Sequence, residues 1–445
     1  MVVIFKALQV ILALSILIAI HEFGHYFFAR LFKIKVDKFY LFFDIGGVKL
    51  FSTKNNKFLH RFFPKLKDMD TDYGIGWLPL GGYCKINGMV DESMDTDFMK
   101  SEVQPYEFRS KKAWQRFLVM FGGVLFNFIL AIFLYIGILA GWGEKYIENK
   151  GNSIYVNEVS EEMGFKNGDE IISFDDYIPE NFSFLQADLI RQNTSKASLL
   201  RDGDTVEIYM DQSIFPKALN SVGLFDLAIP FIVDSITTTS INSGSILERG
   251  DKIISILGES IEYIQDSREL LSSYPNQDVP ISFLRGKDTL TTNLRVDSLG
   301  RFGIFAQFPK IHTKDYSFIE AIPAGVSLAF ERIYNYTQDL KMIAKPSNGA
   351  YKSVGSFISL GQIFPTSWNW QTFINILALL SIMLGVMNLL PIPALDGGHI
   401  VFILYEMISG KKPNEKFLLI TQFIGIMLLF GLMILAFGND ISKLI

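Results

Sequence analysis

Long apolar runs alternate with polar stretches along this chain, and the alternation sets its plan. From Val2 to Ile20 only Lys6, Gln9 and Ser15 are polar. A helix needs about 20 apolar residues to cross hydrocarbon, so this run reads as a transmembrane span. A second run covers about Trp114 to Trp142, a third starts near Phe373, and a fourth runs from Phe417 to Phe437. Pro391 and Pro393 interrupt the third run before the apolar stretch that follows His399. Prolines break helices, and irregular backbone at membrane depth requires a protein or cavity lining. Two shorter stretches, Phe39–Phe51 and Tyr73–Ile86, carry strand-like residues punctuated by Gly46-Gly47 and Gly81-Gly82, and neither is long enough to span as a helix. Between Tyr316 and Ile343, apolar residues Ile319, Ile322, Val326, Phe330 and Ile333 recur at helical spacing, predicting an amphipathic helix packed on the membrane surface or on the core. A short apolar piece, Val354–Phe364, follows it.

The region between the second and third runs contains a duplication. Gly168-Asp169-Glu170-Ile171-Ile172-Ser173 recurs as Gly250-Asp251-Lys252-Ile253-Ile254-Ser255. Leu200-Arg201 followed by Asp204-Thr205 recurs as Leu284-Arg285 followed by Asp288-Thr289. Two matched words at nearly one offset indicate a tandem repeat of one small domain. Gly-Asp followed by alternating isoleucines is a turn entering a strand, so each copy reads as β-rich.

Composition and charge place these pieces. The 445 residues are 49% hydrophobic with a net charge of −5, which suits a membrane protein with sizeable water-soluble parts and argues against a nucleic-acid binder. The single cysteine, Cys84, excludes an intrachain disulfide and has no metal-like spacing. The N-terminal run lacks a small-residue cleavage site, so it reads as a retained helix and not a signal peptide. Residues 26–116 hold 16 Lys plus Arg against 11 Asp plus Glu, whereas residues 144–370 hold 20 against 30. The positive-inside rule then sets the basic segment and the Lys411-Lys412 turn in the cytoplasm, with the repeats and both termini outside.

The chemistry sits where the first run ends, in His21-Glu22-Phe23-Gly24-His25. On a helix, His21 and His25 share one face and suffice to hold a Zn²⁺ between them, with Glu22 beside them as a general base toward zinc-held water. Ionisable residues at the end of an apolar span are costly and point to function. A catalytic zinc wants a third protein ligand. Asp396, at the helix break, is the favoured candidate; His399 is a rival, and capping of the resumed helix is the alternative role for Asp396. Asn388 lies eight residues earlier, roughly two helical turns, a spacing that lets the two face one cavity, where an amide is suited to binding a peptide carbonyl or an oxyanion. In the second run, Gly122-Gly123 favours close helix contact and Asn127 reads as an inter-helix hydrogen-bonding residue.

Four motifs taken in order, HEFGH, YGIGWLPLGGYCKI, GGVLFN and NLLPIPALDGGH, resemble the site-2 protease family, specifically its bacterial branch with tandem outward-facing PDZ domains. The resemblance covers essentially the whole chain. It implies a multi-pass α-helical membrane protein with four transmembrane helices, a membrane-reentrant β-loop, and two β-rich PDZ-like domains inserted between the second and third helices. The implied segments are 1–34 (first helix with HExxH), 35–112 (cytoplasmic segment with the β-loop), 113–143 (second helix), 144–220 and 221–310 (PDZ-like domains), 311–370 (amphipathic helical segment), 371–410 (third helix) and 415–440 (fourth helix).

The implied function is an intramembrane zinc endopeptidase of the bacterial inner membrane, with the bilayer around it. It would cut single-pass proteins already trimmed outside, such as anti-sigma factors or remnant signal peptides. His21, His25 and Asp396 carry over as zinc ligands, Glu22 as the base, and Asn388 as a substrate- or transition-state-binding residue. Gly81, Gly82 and Tyr83 match the β-loop that pairs with substrate as an added strand. The first repeat's Gly164–Asp169 turn fits the PDZ entry, whereas Ser245–Asp251 in the second lacks its small-Gly-hydrophobic opening. Two other classes of function are a metal-translocating membrane protein and a catalytically idle PDZ scaffold. The first would show an inverted repeat of the spans, which the sequence lacks. The second has no reason to bear the desolvation cost of His21, Glu22, His25 and Asp396.

Overall fold

A computed structural model describes residues 2–54, 56–63, 69–79, 81–89, 102–221, 223–345 and 350–444. Two compact units emerge: Met1–Gly143 with Asp315–Ala344 and Tyr351–Ile445, and Glu144–Lys314 with Lys345–Ala350.

The first unit opens with α1 (Val2–Leu31), then β1 (Val36–Leu41), β2 (Lys49–Ser52), a short α2 (Lys57–Phe62), β3 (Asp72–Gly76) and β4 (Tyr83–Ile86), followed by α3 (Ala113–Trp142). The strand-like stretches do not form two local hairpins. They interleave into one sheet of order β2-β3-β1-β4, in which β1 runs parallel to β3 and antiparallel to β4. Asp72 ties the sheet together: its carboxylate accepts from Tyr40 Oη at 2.7 Å and Ser52 Oγ at 2.8 Å. Among the described residues β4 stands at one end of this sheet, next to α1.

The second unit contains two similarly built halves. The first runs β5 (Glu144–Tyr146), β6 (Ile154–Val156), α4 (Glu158–Glu162), β7 (Glu170–Phe174), α5 (Leu185–Arg191), β8 (Lys196–Arg201), β9 (Asp204–Tyr209), α6 (Phe215–Asn220) and β10 (Phe225–Leu227). The second runs β11 (Val233–Ile236), β12 (Lys252–Ile256), β13 (Glu259–Ser260), α7 (Ile264–Ser272), β14 (Asp278–Arg285), β15 (Asp288–Arg295), β16 (Ile304–Ala306) and β17 (His312–Lys314). In each half a late strand returns to pair antiparallel with an early one, β10 with β6 and β16 with β11, while β5 pairs antiparallel with β17 from the other half. The duplicated sequence words become a duplicated ion pair. Arg201 forks onto Asp169 at 2.7 Å from two nitrogens, and Arg285 onto Asp251 at 2.9 and 2.8 Å. Each aspartate also accepts from a backbone N–H three residues earlier, at 2.8 Å in both copies.

The first unit resumes with α8 (Phe318–Ile343), α9 (Phe357–Ile363), α10 (Trp370–Leu389), α11 (Asp396–Ser409) and α12 (Glu415–Leu444). Four helices, Val2–Leu31, Ala113–Trp142, Trp370–Leu389 and Lys416–Ser442, are long and apolar enough to cross a membrane. The central helix is α3, which packs against α1, α8, α10 and α11. The amphipathic helix α8 lies on α3, where Gly325 leaves no room for a Cβ against the backbone of Ile136. By contrast α12 exposes Phe423, Ile424, Met427, Leu428 and Phe430, a surface suited to hydrocarbon. It leans on the helix break, with Gly425 against the Pro393 carbonyl.

The break between α10 and α11 falls at the two prolines. Ala394 takes a left-handed φ of 80°, and Gly397 and Gly398 pack against the carbonyls of Leu390 and Ile392, where any Cβ would collide. That tight turn delivers Asp396 as the first residue of α11.

Candidate active site

Helical spacing on α1 puts His21 and His25 side by side, and α11 brings Asp396 to them from the other end of the chain. His21 Nε2 lies 3.2 Å from Asp396 Oδ2, His25 Nε2 lies 3.3 Å from the same oxygen, and the two Nε2 atoms are 3.3 Å apart. These residues form the one His/Cys/Asp/Glu cluster with metal-holding geometry among the described residues.

The donor set fits zinc. Tetrahedral ligands about 2.0–2.1 Å from a common centre stand roughly 3.3–3.4 Å from one another, close to the spacing seen here. Asp396 Oδ2 is buried and has no hydrogen-bond partner, an arrangement that is costly unless a cation completes it. Three protein ligands leave a fourth tetrahedral position for water or substrate, as a catalytic site requires.

The surroundings hold this trio from several sides. His25 Nδ1 lies 2.8 Å from the carbonyl of Val119 on α3. His21 Nδ1 lies 3.1 Å from the side-chain amide of Asn127, also on α3. Asn388, on α10, brings its amide nitrogen to 3.3 Å from His21 Nε2, on the metal-facing side of the ring. The approach of α3 depends on glycine: a Cβ on Gly123 would collide with His25 Nε2 and with the His21 ring, and Gly24 is pressed against the backbone of Gly122.

Glu22, half-buried beside the histidines, accepts a hydrogen bond from the backbone N–H of Cys84 on β4. Gly82 makes that approach close. A Cβ there would stand 2.5 Å from Ile18 Cγ2 and 2.8 Å from the Tyr40 carbonyl. Gly81 packs in the same way on the Phe43 ring. Tyr83 points elsewhere: its hydroxyl donates to Asp44 Oδ1 at 2.8 Å and accepts from Lys38 Nζ at 3.1 Å, and its ring stacks on Tyr40.

The remaining histidines lie outside the trio. His399 lines a cavity of about 250 Å³ with Arg116, Glu406 and Gln422, and His60 bonds the Thr53 carbonyl at 2.7 Å. His312 belongs to the second unit. Two contacts at the site exceed what single motifs announced: the Asn127 amide on a histidine, and the Cys84 amide on Glu22. The first had a signal in the four-residue spacing of Gly123 and Asn127, which puts both on one face of α3. The second had none, because a backbone group leaves no trace in residue type.

Comparison with known proteins agrees with this geometry. The chain matches peptidase family M50 over residues 9–432, so it belongs to that family, the site-2 protease class of zinc metalloendopeptidases. It is 26% identical over 464 residues to a Neisseria meningitidis protein named provisionally as a zinc metalloprotease, covering 98% of this chain and 99% of that one. It is 27% identical over 443 residues to a similarly named protein of Rickettsia conorii, covering 98% of each. It is 26% identical over 478 residues to the regulator of sigma E protease of Haemophilus influenzae, again covering 98% of each. The cofactor is zinc, and the chain is an integral membrane enzyme.

Proposed function

We propose that this protein cuts single-pass membrane proteins within or near their membrane segment, with His21, His25 and Asp396 as the zinc ligands and Glu22 as the general base. The observation that carries the reading is the buried Asp396 Oδ2 facing two histidine nitrogens at 3.2 and 3.3 Å, beside helices apolar enough to cross a membrane. Zinc bound there acidifies water and polarises the scissile carbonyl. The Glu22 carboxylate takes the proton from the attacking water and hands it to the departing amide nitrogen. Asn388 donates its amide N–H toward the oxyanion that develops at the carbonyl.

The place of β4 at the end of its sheet, beside Glu22, supports a mode of substrate capture. An extended peptide adds there as a further strand, through Gly81, Gly82 and Tyr83, in a conformation whose carbonyls are open to attack. The two halves of the second unit act as PDZ-like domains outside the cytoplasm, and both termini share that side. The basic segment after α1 faces the cytoplasm of a bacterial inner membrane. The name of the Haemophilus relative favours anti-sigma-factor-like substrates already trimmed outside, with remnant signal peptides as a second group.

The test is cleavage of a tagged single-pass helix carrying a trimmed outer end, by purified full-length protein in detergent. Wild type should cut, a zinc chelator should stop it, and added Zn²⁺ should restore it. Glu22→Gln should retain metal and lose turnover. Wild-type turnover by Glu22→Gln would overturn the assignment.

A further inference from the structure

We propose that Asn127 is a positioning residue for the metal centre: it fixes the tautomer of His21, accepting a hydrogen bond from Nδ1–H so that Nε2 is left bare for zinc. This rests on the reading of His21, His25 and Asp396 as ligands.

His21 has two ring nitrogens with opposite jobs. Nε2 is the one that meets Asp396 Oδ2 and His25 Nε2. A neutral imidazole that offers Nε2 to a metal carries its proton on Nδ1, and Nδ1 must then donate. The atom facing Nδ1, at 3.1 Å, is Asn127 Nδ2, while Oδ1 of the same amide is buried without a hydrogen-bond partner, so turning the amide end for end satisfies both groups. The oxygen and nitrogen of a carboxamide have nearly the same shape, so the chemistry of the ring decides which end faces it: the oxygen. His25 provides the parallel. Its Nδ1 faces the Val119 carbonyl at 2.8 Å, a group that only accepts, so its proton is also fixed on the nitrogen away from the metal. Both ligands are therefore oriented from one helix, α3.

Asn127 is itself held. It is fully buried, and its backbone carbonyl accepts from Ser381 Oγ of α10 at 2.7 Å. His21, Asn127 and Ser381 thus link three membrane helices through one buried polar line. An asparagine serving merely as glue between helices would be satisfied by any acceptor or donor on its neighbour. This one meets the single atom whose protonation decides whether the ligand binds metal. Outer partners of metal-binding histidines typically change affinity by about 10–100-fold when removed.

The experiment uses the full-length chain in detergent on a Glu22→Gln background, so that metal binding is read without turnover. Zinc affinity is measured by chelator competition for wild type, Asn127→Ala, Asn127→Asp, Ser381→Ala and His21→Ala. Asn127→Ala should weaken zinc by about 10–100-fold, and Asn127→Asp, which keeps an accepting oxygen, should recover most of the loss. Ser381→Ala should fall between wild type and Asn127→Ala. In zinc-loaded protein with ¹⁵N-labelled histidine, His21 Nδ1 should carry a directly bonded proton. That signal is read on the unsubstituted ring and does not depend on any variant folding. Zinc affinity unchanged in Asn127→Ala, no recovery in Asn127→Asp, or an unprotonated Nδ1 would each overturn the proposal. Zinc affinity unchanged in His21→Ala would instead overturn the ligand assignment on which it rests.

Discussion

A methyl group on Gly123 would occupy the space of His25 Nε2. The glycine is therefore part of the mould of the metal site although it offers no ligand. Gly123→Ala should push α3 away from α1 or twist both histidines. Overpacking of this kind costs about 1–3 kcal/mol, roughly ten- to hundred-fold if spent on metal affinity. Zinc content of the purified variant against wild type checks it; full occupancy at equal affinity would show that the helices shift without cost to the site.

Gly82 should fail differently. A Cβ there meets the Tyr40 carbonyl and Ile18, so Gly82→Ala moves β4 off α1 and takes the Cys84 N–H from Glu22. His21, His25 and Asp396 are untouched. Turnover should drop by about 100-fold, as for a displacement near 1 Å at a reacting group, while zinc content stays at the wild-type level. Parallel metal analysis and kcat measurement separate this outcome from that of Gly123→Ala.

Arg116 of α3 and Glu406 of α11 form an ion pair at 2.5 Å with both side chains largely shielded. Removing one member strands the other. Glu406→Ala should cost about 3–5 kcal/mol, and the double change Arg116→Met with Glu406→Leu should regain most of it. Thermal unfolding midpoints in detergent report both, and a double variant no better than the single one would refute the desolvation argument.

Acid should loosen the second unit. The Arg285 guanidinium holds the Asp251 carboxyl below its ordinary range. A carboxyl depressed in the folded state binds its proton more readily when unfolded. The stabilisation is therefore present above the ordinary carboxyl pKa of about 4 and is lost as pH falls through the lower folded value. Arg285→Gln should unfold more readily at pH 7 and show a flatter loss between pH 5 and about 3. Urea titration followed by proteolysis of residues 144–314 measures it; identical slopes for both proteins would exclude the pair as the source.

Much of this arrangement was legible in the residues. Each apolar run lies within a helix long and apolar enough to cross a membrane, because the hydrocarbon thickness sets how many apolar residues a span needs. Pro391 and Pro393 mark the break that delivers Asp396, and the duplicated Gly-Asp and Leu-Arg words become the twin ion pairs of Asp169 with Arg201 and Asp251 with Arg285. The order β2-β3-β1-β4 was not legible, since alternation reveals that a strand exists and not which strand lies beside it. Asn127 was read as a contact between helices, and the structure sets its side-chain amide 3.1 Å from His21 of α1. That it touches His21 depends on the rotation of α3 relative to α1, a long-range quantity set by Gly24, Gly122 and Gly123 acting together.

The metal site is assembled from the two ends of the chain, with His21 and His25 on the first helix and Asp396 near the last. Everything between them, including the whole second unit, is synthesised before the third ligand exists. A chain interrupted anywhere short of Asp396 carries Glu22 and two histidines but not the third member of the trio. On the proposed assignment, hydrolytic competence is withheld until the second unit and the central helices have all been made.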